Sequence, residues 1–386
     1  MDYQDMIHRC FRCGFCKFTD DYHEVNCPSY LKFGFDTFAS GGRMWLIRAW
    51  LNEEVQNSRR YWDILYSCVT CGNCEAHCVM PFKDDLLDVF EAAKAEQESY
   101  GLVPPAVKNY FRALSESGNP YGEPQDKRGE WVDGSGIEIY SGQEYLFYVG
   151  DVGSYDERGK AMARSVAALL LRGGLSVGTL GSEEQSDGND VKALGGRKLF
   201  KQLAEKNIRK FHEKGVRKII TLDPHAFTTF TRDYPGLGGE FQVRHYTQIL
   251  DDLIKNEKFP LTTQKIKVTY HDPCYLGRHS GIYDPPRQVL RAIPGLELTE
   301  MHRNKVNAFC CGGGGGNLFT DIIGIGEQSP AKVRLRDALE TGADVLAVGC
   351  PLCSKMLDDA VKAQGCDSRI KVQDVAEIVA NAIATK

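Results

Sequence analysis

The sequence lacks the long apolar runs of a membrane protein. A helix that crosses a bilayer takes roughly 18 consecutive apolar residues, and the longest candidate, "SVAALLLRGG", is interrupted at Arg172. The first residues, "MDYQDMIHRCFRCGF", have neither the basic start nor the apolar stretch of a signal peptide. We therefore expect no transmembrane segment and a cytoplasmic location.

An excess of positive charge is also missing. The 386 residues include 47 Lys and Arg against 52 Asp and Glu, a formal net charge of -5. A protein whose main partner is nucleic acid needs a basic face for the phosphates, so we expect no such partner. Neither of the usual nucleotide-binding glycine patterns occurs in its strand-to-helix setting, and no Ser/His/Asp arrangement is evident. Any flavin is therefore expected on a partner subunit.

Cysteine is absent between residues 79 and 273, although the chain has 14 cysteines. Because cytosolic thiols are kept reduced, clustered cysteines indicate metal or redox chemistry rather than disulfides. Cys366 stands alone and is interpreted as an ordinary residue. The other thirteen fall at 10–27, 68–78, 274, 310–311 and 350–353.

Two N-terminal runs of cysteines share one spacing. Each has three cysteines at i, i+3 and i+6 and a fourth further on; the runs are Cys10, Cys13, Cys16, Cys27 and Cys68, Cys71, Cys74, Cys78. Three such thiolates suit three corners of a [4Fe–4S] cube, and in two-cluster ferredoxins the fourth comes from the other run. This predicts one cluster on Cys10, Cys13, Cys16 and Cys78, and a second on Cys68, Cys71, Cys74 and Cys27. Structural zinc is the alternative, since four thiolates also bind zinc.

The residues between the two runs predict helices. In "GGRMWLIRAWLNEEV" the apolar side chains follow helical spacing, and "LLDVFEAAKAEQES" continues as one more helix to about residue 99. We therefore predict an α-helical ferredoxin domain over residues 1–100. Trp45 and Trp50 are interpreted as core residues rather than electron-transfer stations.

The remainder predicts two α/β lobes. Residues 119–143 are rich in Gly, Pro and charge, and we assign 101–143 as a linker. Beyond it, apolar strand-like runs such as "YLFYVG", "KIITLD" and "DVLAVGCP" alternate with amphipathic helices, which indicates parallel sheets with helices on their faces. The predicted fold class is α+β multidomain, with tandem lobes at 144–260 and 261–386.

The two lobes match one another at the ends of their strands. The matched positions lie 123 to 127 residues apart; they are Asp151 with Cys274, Ser186-Asp187 with Cys310-Cys311, Asp223 with Cys350, and Ala226 with Cys353. This spacing indicates a tandem duplication. Functional elements of open α/β sheets lie at strand C-termini, and in the first lobe all five of these positions lack cysteine.

The second lobe resembles a known family. Its pattern Cys274-x35-Cys310-Cys311-x38-Cys350-x2-Cys353 is similar to the cysteine-rich CCG domain of heterodisulfide reductases. The same domain occurs in the iron–sulfur subunits of glycolate and lactate oxidases and in class II benzoyl-CoA reductase complexes. The resemblance implies that these five cysteines hold a noncubane [4Fe–4S] cluster. A zinc site on four of them, or two buried structural cysteines in a glycine loop, are the alternatives.

The stretch "AFCCGGGGGNLF" joins the cysteine doublet to five glycines. Glycine lets backbone come close to the cluster sulfides, donate N–H groups to them and adopt positive φ, and such N–H groups tune the cluster potential. We therefore expect the run to lie against the cluster.

Other polar candidates are weaker. His271, three residues before Cys274, could donate to a cluster sulfide or carry protons, or make a structural hydrogen bond at a strand end. Arg278, His225 and His245 rank below it. Three first-lobe carboxylates could bind another metal, or be solvated or cap helices; they are Asp151, Asp187 and Asp223.

The resemblance implies an iron–sulfur electron-transfer subunit of an oxidoreductase. It would pass electrons between the two cubanes and the noncubane cluster, beside a flavoprotein or other iron–sulfur subunits. The alternative is a disulfide reductase that uses the noncubane cluster as its substrate site. The cysteine-free first lobe counts against it, because heterodisulfide reductases carry the cysteines in both lobes. A zinc-bound scaffold protein is the third possibility.

Overall fold

A computed structural model describes residues 3–383 of the chain. Between residues 3 and 100 the α-helices and 3₁₀ turns are joined by loops and no strand forms, which confirms the predicted α-helical character of the N-terminal domain. Its helices are α1 (Gln4–Arg9), α2 (Pro28–Phe33), α3 (Ser40–Leu51), α4 (Arg59–Tyr66), α5 (Asn73–His77) and α6 (Leu86–Ser99). Within the described residues, no helix combines the length and apolarity required to cross a membrane.

Helix α3 faces the core differently from the prediction. It buries Met44 and Ile47, whereas Trp45 and Trp50 are only half-buried. The Trp45 indole N–H donates to the carbonyl of Cys10 at 2.6 Å, so this ring braces the first cysteine run. Trp50 packs against the helical core, in agreement with the prediction. The prediction for Trp45 was wrong, because its ring packs against Arg12 and Arg48.

The segment 101–143 is not a linker. It contains helix α7 (Pro105–Ser117), a 3₁₀ helix (Gln125–Val132) and strand β1 (Glu138–Ile139). Arg128 and Trp131 of the 3₁₀ helix are buried, and β1 pairs in parallel with the sheet of the first lobe. Helix α7 packs instead in the core of the N-terminal domain, through Val107, Tyr110 and Leu114. The Gly- and Pro-rich parts of this segment thus form turns between ordered elements.

The first lobe is a five-stranded parallel sheet in the order β1-β3-β2-β4-β5. Its further strands are β2 (Tyr145–Tyr148), β3 (Val177–Thr179), β4 (Lys218–Thr221) and β5 (Gln242–His245). Its helices are α8 (Gly150–Tyr155), α9 (Glu157–Arg172), α10 (Asn189–Ala193), α11 (Arg197–Glu213), α12 (Pro224–Thr228) and α13 (Tyr246–Lys255).

The second lobe is a four-stranded parallel sheet in the order β7-β6-β8-β9. Its strands are β6 (Ile266–Tyr270), β7 (Leu296–Leu298), β8 (Val345–Val348) and β9 (Lys371–Asp374). Its helices are α14 (Asp284–Arg291), α15 (Asn317–Thr320), α16 (Pro330–Glu340), α17 (Pro351–Ala363) and α18 (Val375–Ala382). The order β3-β2-β4-β5 of the first lobe repeats here, which confirms the predicted duplication.

The two lobes share one apolar core. It includes Phe147 and Met162 from the first lobe and Tyr270 and Val379 from the second, all at most 1 % exposed. Apolar burial stabilises a fold by roughly 25 cal/mol for each Å² removed from water, so these shared contacts bind the lobes to each other. The strand ends that carry the cysteines are thereby held in a fixed relation to the first lobe.

Candidate metal centres

The outer thiol group consists of Cys10, Cys13, Cys16 and Cys78, and it lines one small cavity. Cys13 is exposed to solvent, whereas Cys16 is buried. Burial raises the pKa of Cys16 to about 12, so this thiol ionises readily only beside a positive charge such as a metal ion. The four sulfurs predicted for the first cluster thus surround a common space.

The inner thiol group consists of Cys27, Cys68, Cys71 and Cys74, and it lines a second small cavity. Cys16 of the outer thiol group lines this cavity as well. Burial raises the pKa of Cys74 well above its usual value, with the charge of Glu75 acting in the same direction. The two cavities are therefore neighbours that share one thiol.

The five-thiol group consists of Cys274, Cys310, Cys311, Cys350 and Cys353, all buried. The sulfurs of Cys274 and Cys310 are 3.8 Å apart, and those of Cys311 and Cys353 are 3.3 Å apart. Both separations far exceed a disulfide bond of about 2.05 Å, so the thiols are free. Converging free thiols that water cannot reach fit a thiophilic metal group such as an iron–sulfur cluster.

The sheet topology brings these five cysteines together. Central strand β6 leads to Cys274, and its neighbours β7 and β8 lead to the doublet Cys310-Cys311 and to Cys350. In parallel sheets, ligands bind beyond the carboxyl ends of adjacent strands whose connections diverge. Cys350 also occupies the N-cap position of the 13-residue helix α17, where the helix dipole favours a thiolate.

Neighbouring polar groups lower the pKa values of two cysteines in the five-thiol group. Hydrogen bonds from Cys310 and Cys353 lower the pKa of Cys311 well below its usual value. Burial alone would raise the pKa of Cys350, but Cys353 and His225 outweigh it and lower that pKa. These neighbours therefore favour the thiolate form at Cys311 and Cys350.

The inner thiol group and the five-thiol group are in contact. The nearby Cys310 thiol and burial raise the pKa of Cys71 well above its usual value. Both residues pack in one small apolar cluster with Cys274. The Arg278 side chain donates from Nε to the carbonyl of Cys71 at 2.7 Å and from Nη1 to the carbonyl of Ala308 at 2.6 Å. Arg278, ranked low in the sequence analysis, thus lies at the junction of two thiol groups.

The glycine run lies mainly against the backbone of the Cys68–Val69 loop, and only one of its N–H groups contacts a cysteine sulfur. The backbone N–H of Gly312 does donate to the sulfur of Cys310 at 3.3 Å. A Cβ on Gly315, however, would lie 2.8 Å from the carbonyl oxygen of Cys68, and one on Gly314 would lie 2.9 Å from that of Val69. The run therefore lets the second lobe approach the loop that carries the inner thiol group.

Two buried cations beside the inner thiol group were missed in the sequence. Arg43 donates to the carbonyl of Ile64 at 2.9 Å, and its charge lowers the pKa of Cys27, although burial outweighs this effect. Lys94 is fully buried and donates to the carbonyl of Ala193 at 2.9 Å. Both lie on the apolar faces of their helices. A Lys or Arg at a helix position that faces the core is unusual, and this pattern could have indicated them in the sequence.

Histidines flank the five-thiol group on two sides. The ligand-capable atoms of His271, Cys311 and Cys353 lie within 4.8 Å of one another, and so do those of Asp223, His225 and Cys350. His271 thus lies at the cysteines, as expected for a donor to the cluster. Burial lowers its pKa, and the adjacent Arg334 acts in the same direction. His245 makes a structural contact instead, capping α13.

The carboxylates of the first lobe do not form a metal site of their own. Asp151, Asp187 and Asp223 line one cavity. The groups of possible ligands among the described residues do not bring these three carboxylates close enough together to hold one ion. Arg128 donates to Asp151 at 2.7 Å. Burial raises the pKa of Asp187 well above its usual value, and the neighbouring carboxylates add to this.

Cys366 lies away from these centres. It is buried in the core of the second lobe, and its thiol donates to the carbonyl of Gln364 at 3.5 Å. The structure thus places it as an ordinary core residue.

Comparison with known proteins identifies two family matches. A 4Fe-4S dicluster domain matches residues 6–81, and a cysteine-rich CCG domain matches residues 268–358. The chain is also similar to one subunit of the dihydromethanophenazine:CoB–CoM heterodisulfide reductase of Methanosarcina barkeri. The two are 31 % identical over 410 aligned residues, which cover 98 % of this chain and 94 % of that protein.

The chain belongs to the heterodisulfide reductase-like CCG family. Several of its relatives are named as oxidoreductases or reductase subunits.

Two longer relatives align with most of the chain. One is the probable iron–sulfur-binding oxidoreductase FadF of Bacillus subtilis, with 36 % identity over 83 % of this chain and 46 % of that protein. The other is the EtfAB:quinone oxidoreductase of Syntrophomonas wolfei, with 34 % identity over 84 % and 47 %. The chain thus spans about half the length of these relatives.

Proposed function

We propose that this chain is the electron-relay subunit of a multi-subunit oxidoreductase. The outer and inner thiol groups each hold a [4Fe–4S] cubane, and the five-thiol group holds a noncubane [4Fe–4S] cluster. Each such cluster supplies one-electron transfer when bound. Zinc fits less well, because a tetrahedral zinc site takes four ligands and five thiols converge in the last group.

The observation that supports a relay is the serial contact of the three thiol groups. Cys16 lines both N-terminal cavities, and Cys71 of the inner thiol group packs in one cluster with Cys274 and Cys310 of the five-thiol group. A protein whose clusters served only to stabilise separate domains would not need this continuity.

The two ends of the relay differ in their exposure to solvent, and positive side chains lie between them. At one end Cys13 is exposed, which suits exchange with an external redox protein. At the other end all five cysteines are at most 6 % exposed. Arg43, Lys94 and Arg278 place positive charge beside the inner thiolates, which offsets part of their negative charge in a poorly solvated interior.

A flavoprotein is the partner that the relay suits best. Flavins exchange two electrons, whereas each cubane carries one, so a series of clusters joins the two kinds of carrier. Relatives named as part of a heterodisulfide reductase and as an EtfAB:quinone oxidoreductase support a multi-subunit setting. We therefore place a flavoprotein, or a further iron–sulfur protein, against this chain.

The metal content of anaerobically reconstituted protein tests the cluster assignment. We expect about twelve irons per chain, the sum of three four-iron clusters, falling to about eight in Cys353→Ser. Cys366→Ser is the matched control, because it removes a buried cysteine outside the three groups, and it keeps about twelve. A colourless zinc protein, or eight irons in the unaltered chain, contradicts the proposal.

A disulfide reductase is the second candidate, favoured by similarity to the heterodisulfide reductase of Methanosarcina barkeri over nearly the whole chain. The cysteine-free first lobe argues against paired noncubane clusters. Assaying the full chain with reduced viologen dye and the CoB–CoM heterodisulfide separates the two functions. Sustained turnover supports the reductase, whereas cluster reduction without turnover supports the relay.

A further inference from the structure

Two histidines approach the five-thiol group with opposite hydrogen-bonding arrangements. One is His271 of the second lobe, beside Cys311 and Cys353, and the other is His225 of the first lobe, beside Cys350. Both are buried, and in each the Nε2 atom has no hydrogen-bond partner among residues 3–383. What each Nε2 can do follows from the group bound to Nδ1 of the same ring.

His271 is arranged as a proton donor. The Nε–H of Arg334 donates to its Nδ1 at 3.0 Å, and a guanidinium has no acceptor. The Nδ1 lone pair is thus occupied, so the ring carries its proton on Nε2. This nitrogen lies beside the sulfur of Cys311 and carries a proton that it can donate toward that thiolate. It has no free lone pair for a metal.

His225 is arranged as a metal ligand. Its Nδ1 lies 2.9 Å from Oδ1 of Asp223, and a carboxylate only accepts, so Nδ1 carries the proton. The backbone N–H of His225 donates to the same oxygen at 2.9 Å, which fixes the carboxylate. A metal-bound histidine typically donates its other ring N–H to a carboxylate in this way. Nε2 is therefore the nitrogen left to bind metal.

Packing from three parts of the chain holds the His225 ring in place. It lies on the ring of Tyr275 with centroids 4.0 Å apart, and the Tyr275 hydroxyl is hydrogen-bonded to Thr70 at 2.9 Å. On the Nε2 side, a Cβ on Gly314 would come within 3.4 Å, so glycine leaves room there. The ring is 5 % exposed and is confined beside the thiols.

We propose that His225 supplies a nitrogen ligand, through Nε2, to the iron centre of the five-thiol group. The inference rests on the proposed function. The first lobe, which has no cysteines, then completes the metal site of the second. Asp223 occupies the position that matches Cys350 in the duplication, and it supports the ligand instead of being one. Because metal competes with the proton for Nε2, His225 binds iron as a neutral ring.

Selective isotope labelling tests this ligand directly. Full-length protein with ¹⁵N-histidine is reconstituted anaerobically with iron and sulfide, and the terminal centre is examined by pulsed electron paramagnetic resonance. We expect a nitrogen hyperfine coupling of the size found in histidine-ligated Rieske centres. The coupling should disappear in His225→Gln and persist in His271→Gln and in His279→Gln, which alters the other ring stacked on Tyr275.

Three results of this experiment would contradict His225 as an iron ligand. Absence of coupling in the unaltered protein, a weak coupling typical of hydrogen-bonded nitrogen, or a coupling that survives in His225→Gln overturns the proposal. Asp223→Asn keeps the imidazole but removes its carboxylate support, and we expect it to weaken the coupling. If His225→Gln and Asp223→Asn fold poorly, the presence or absence of the coupling in the unaltered protein still tests the proposal. A content of twelve irons without the coupling overturns this inference alone, whereas eight irons overturns the proposed function.

Discussion

Arg278 is the cation that faces two thiol groups at once. Its charge lies close enough to Cys71, Cys274 and Cys310 for their thiolates to raise the pKa of its guanidinium, although burial acts in the opposite direction. Its Nη2 is buried and has no hydrogen-bond partner among the described residues. A positive charge at this point stabilises the more negative, reduced form of any cluster nearby.

Arg278→Gln is therefore expected to lower the reduction potentials of the inner and terminal clusters. A unit charge several ångströms away, at an effective dielectric constant of about 20, corresponds to a shift on the order of 50–100 mV. Redox titration followed by electron paramagnetic resonance measures the shift.

Arg278→Lys is the matched control, because it keeps the charge and loses the planar set of donors. We expect its potentials to stay close to those of the unaltered protein. Equal shifts in both variants would mean that the hydrogen bonds to the carbonyls of Cys71 and Ala308 set the potentials, rather than the charge.

The glycine run is the element that joins the second lobe to the N-terminal domain. Gly315 has a φ of +62°, and a Cβ there would meet the carbonyl of Cys68 at 2.8 Å. Gly324 has a similar φ of +72°, with nothing within 4 Å of its Cβ position. The two positions thus share the cost of a left-handed backbone and differ in packing.

Gly315→Ala is expected to destabilise the protein more than Gly324→Ala. The left-handed conformation costs each alanine about 1–2 kcal/mol, and the overlap at Gly315 adds roughly 1–3 kcal/mol. Thermal unfolding midpoints compare the two, and Gly315→Ala should also lose iron from the inner thiol group first. Equal midpoints would mean that the Cys68–Val69 loop yields freely.

Elements with continuous apolar runs could be predicted from the sequence. Strands β2, β4, β6 and β8 are central, buried on both faces and rich in Val, Ile and Leu, so their pattern was clear. Edge strands β1, β5 and β9 were missed, because their residues are largely polar. Helix α7 was missed too, since its surroundings were interpreted as a linker.

The grouping of the cysteines was predictable, but their junction was not. Spacing and strand ends placed the thirteen thiols in three groups, which the structure brings to two cavities and one cluster of contacts. The contact between Cys71 and Cys310, and the approach of His225 to Cys350, join residues 239 and 125 positions apart. Such pairs depend on how whole domains pack, which no local pattern records.

At the scale of the whole molecule, one polar contact crosses the apolar core of the two lobes. The hydroxyl of Tyr246 in the first lobe donates to Asp374 in the second at 2.6 Å. Asp374 also caps helix α18, accepting from the backbone of Ala376 at 2.8 Å. Burial raises the pKa of Asp374 to about 7, and the charge of Glu377 contributes in the same direction.

This shift predicts a pH dependence of stability. The unfolded carboxyl has a pKa of about 3.9, so between about pH 4 and pH 7 the folded protein retains a proton that the unfolded chain releases. Stability is therefore greatest at the acidic end of this window and falls as the pH rises through it. Thermal midpoints between pH 5.5 and pH 8 should decrease accordingly.

Asp374→Asn tests the assignment, because its amide does not titrate: the amide oxygen can still accept from the backbone N–H of Ala376, and the amide NH₂ can donate to the Tyr246 hydroxyl in place of the oxygen that accepts from it. We expect a flatter dependence of the midpoint on pH. An unchanged slope would assign the effect to another buried acid. Because the lobes share their core, both should unfold in one transition in either protein.

The exposure of Cys13 at the outer thiol group has a consequence for handling the protein in air. Oxidants and chelators reach that cavity directly, whereas the five-thiol group is sealed behind two domains. Damage would then spread from the surface inward, and an aged sample would lose its outermost irons while its deepest ones survived. The order in which the clusters lose their colour in air should therefore follow their burial, from the outer thiol group to the five-thiol group.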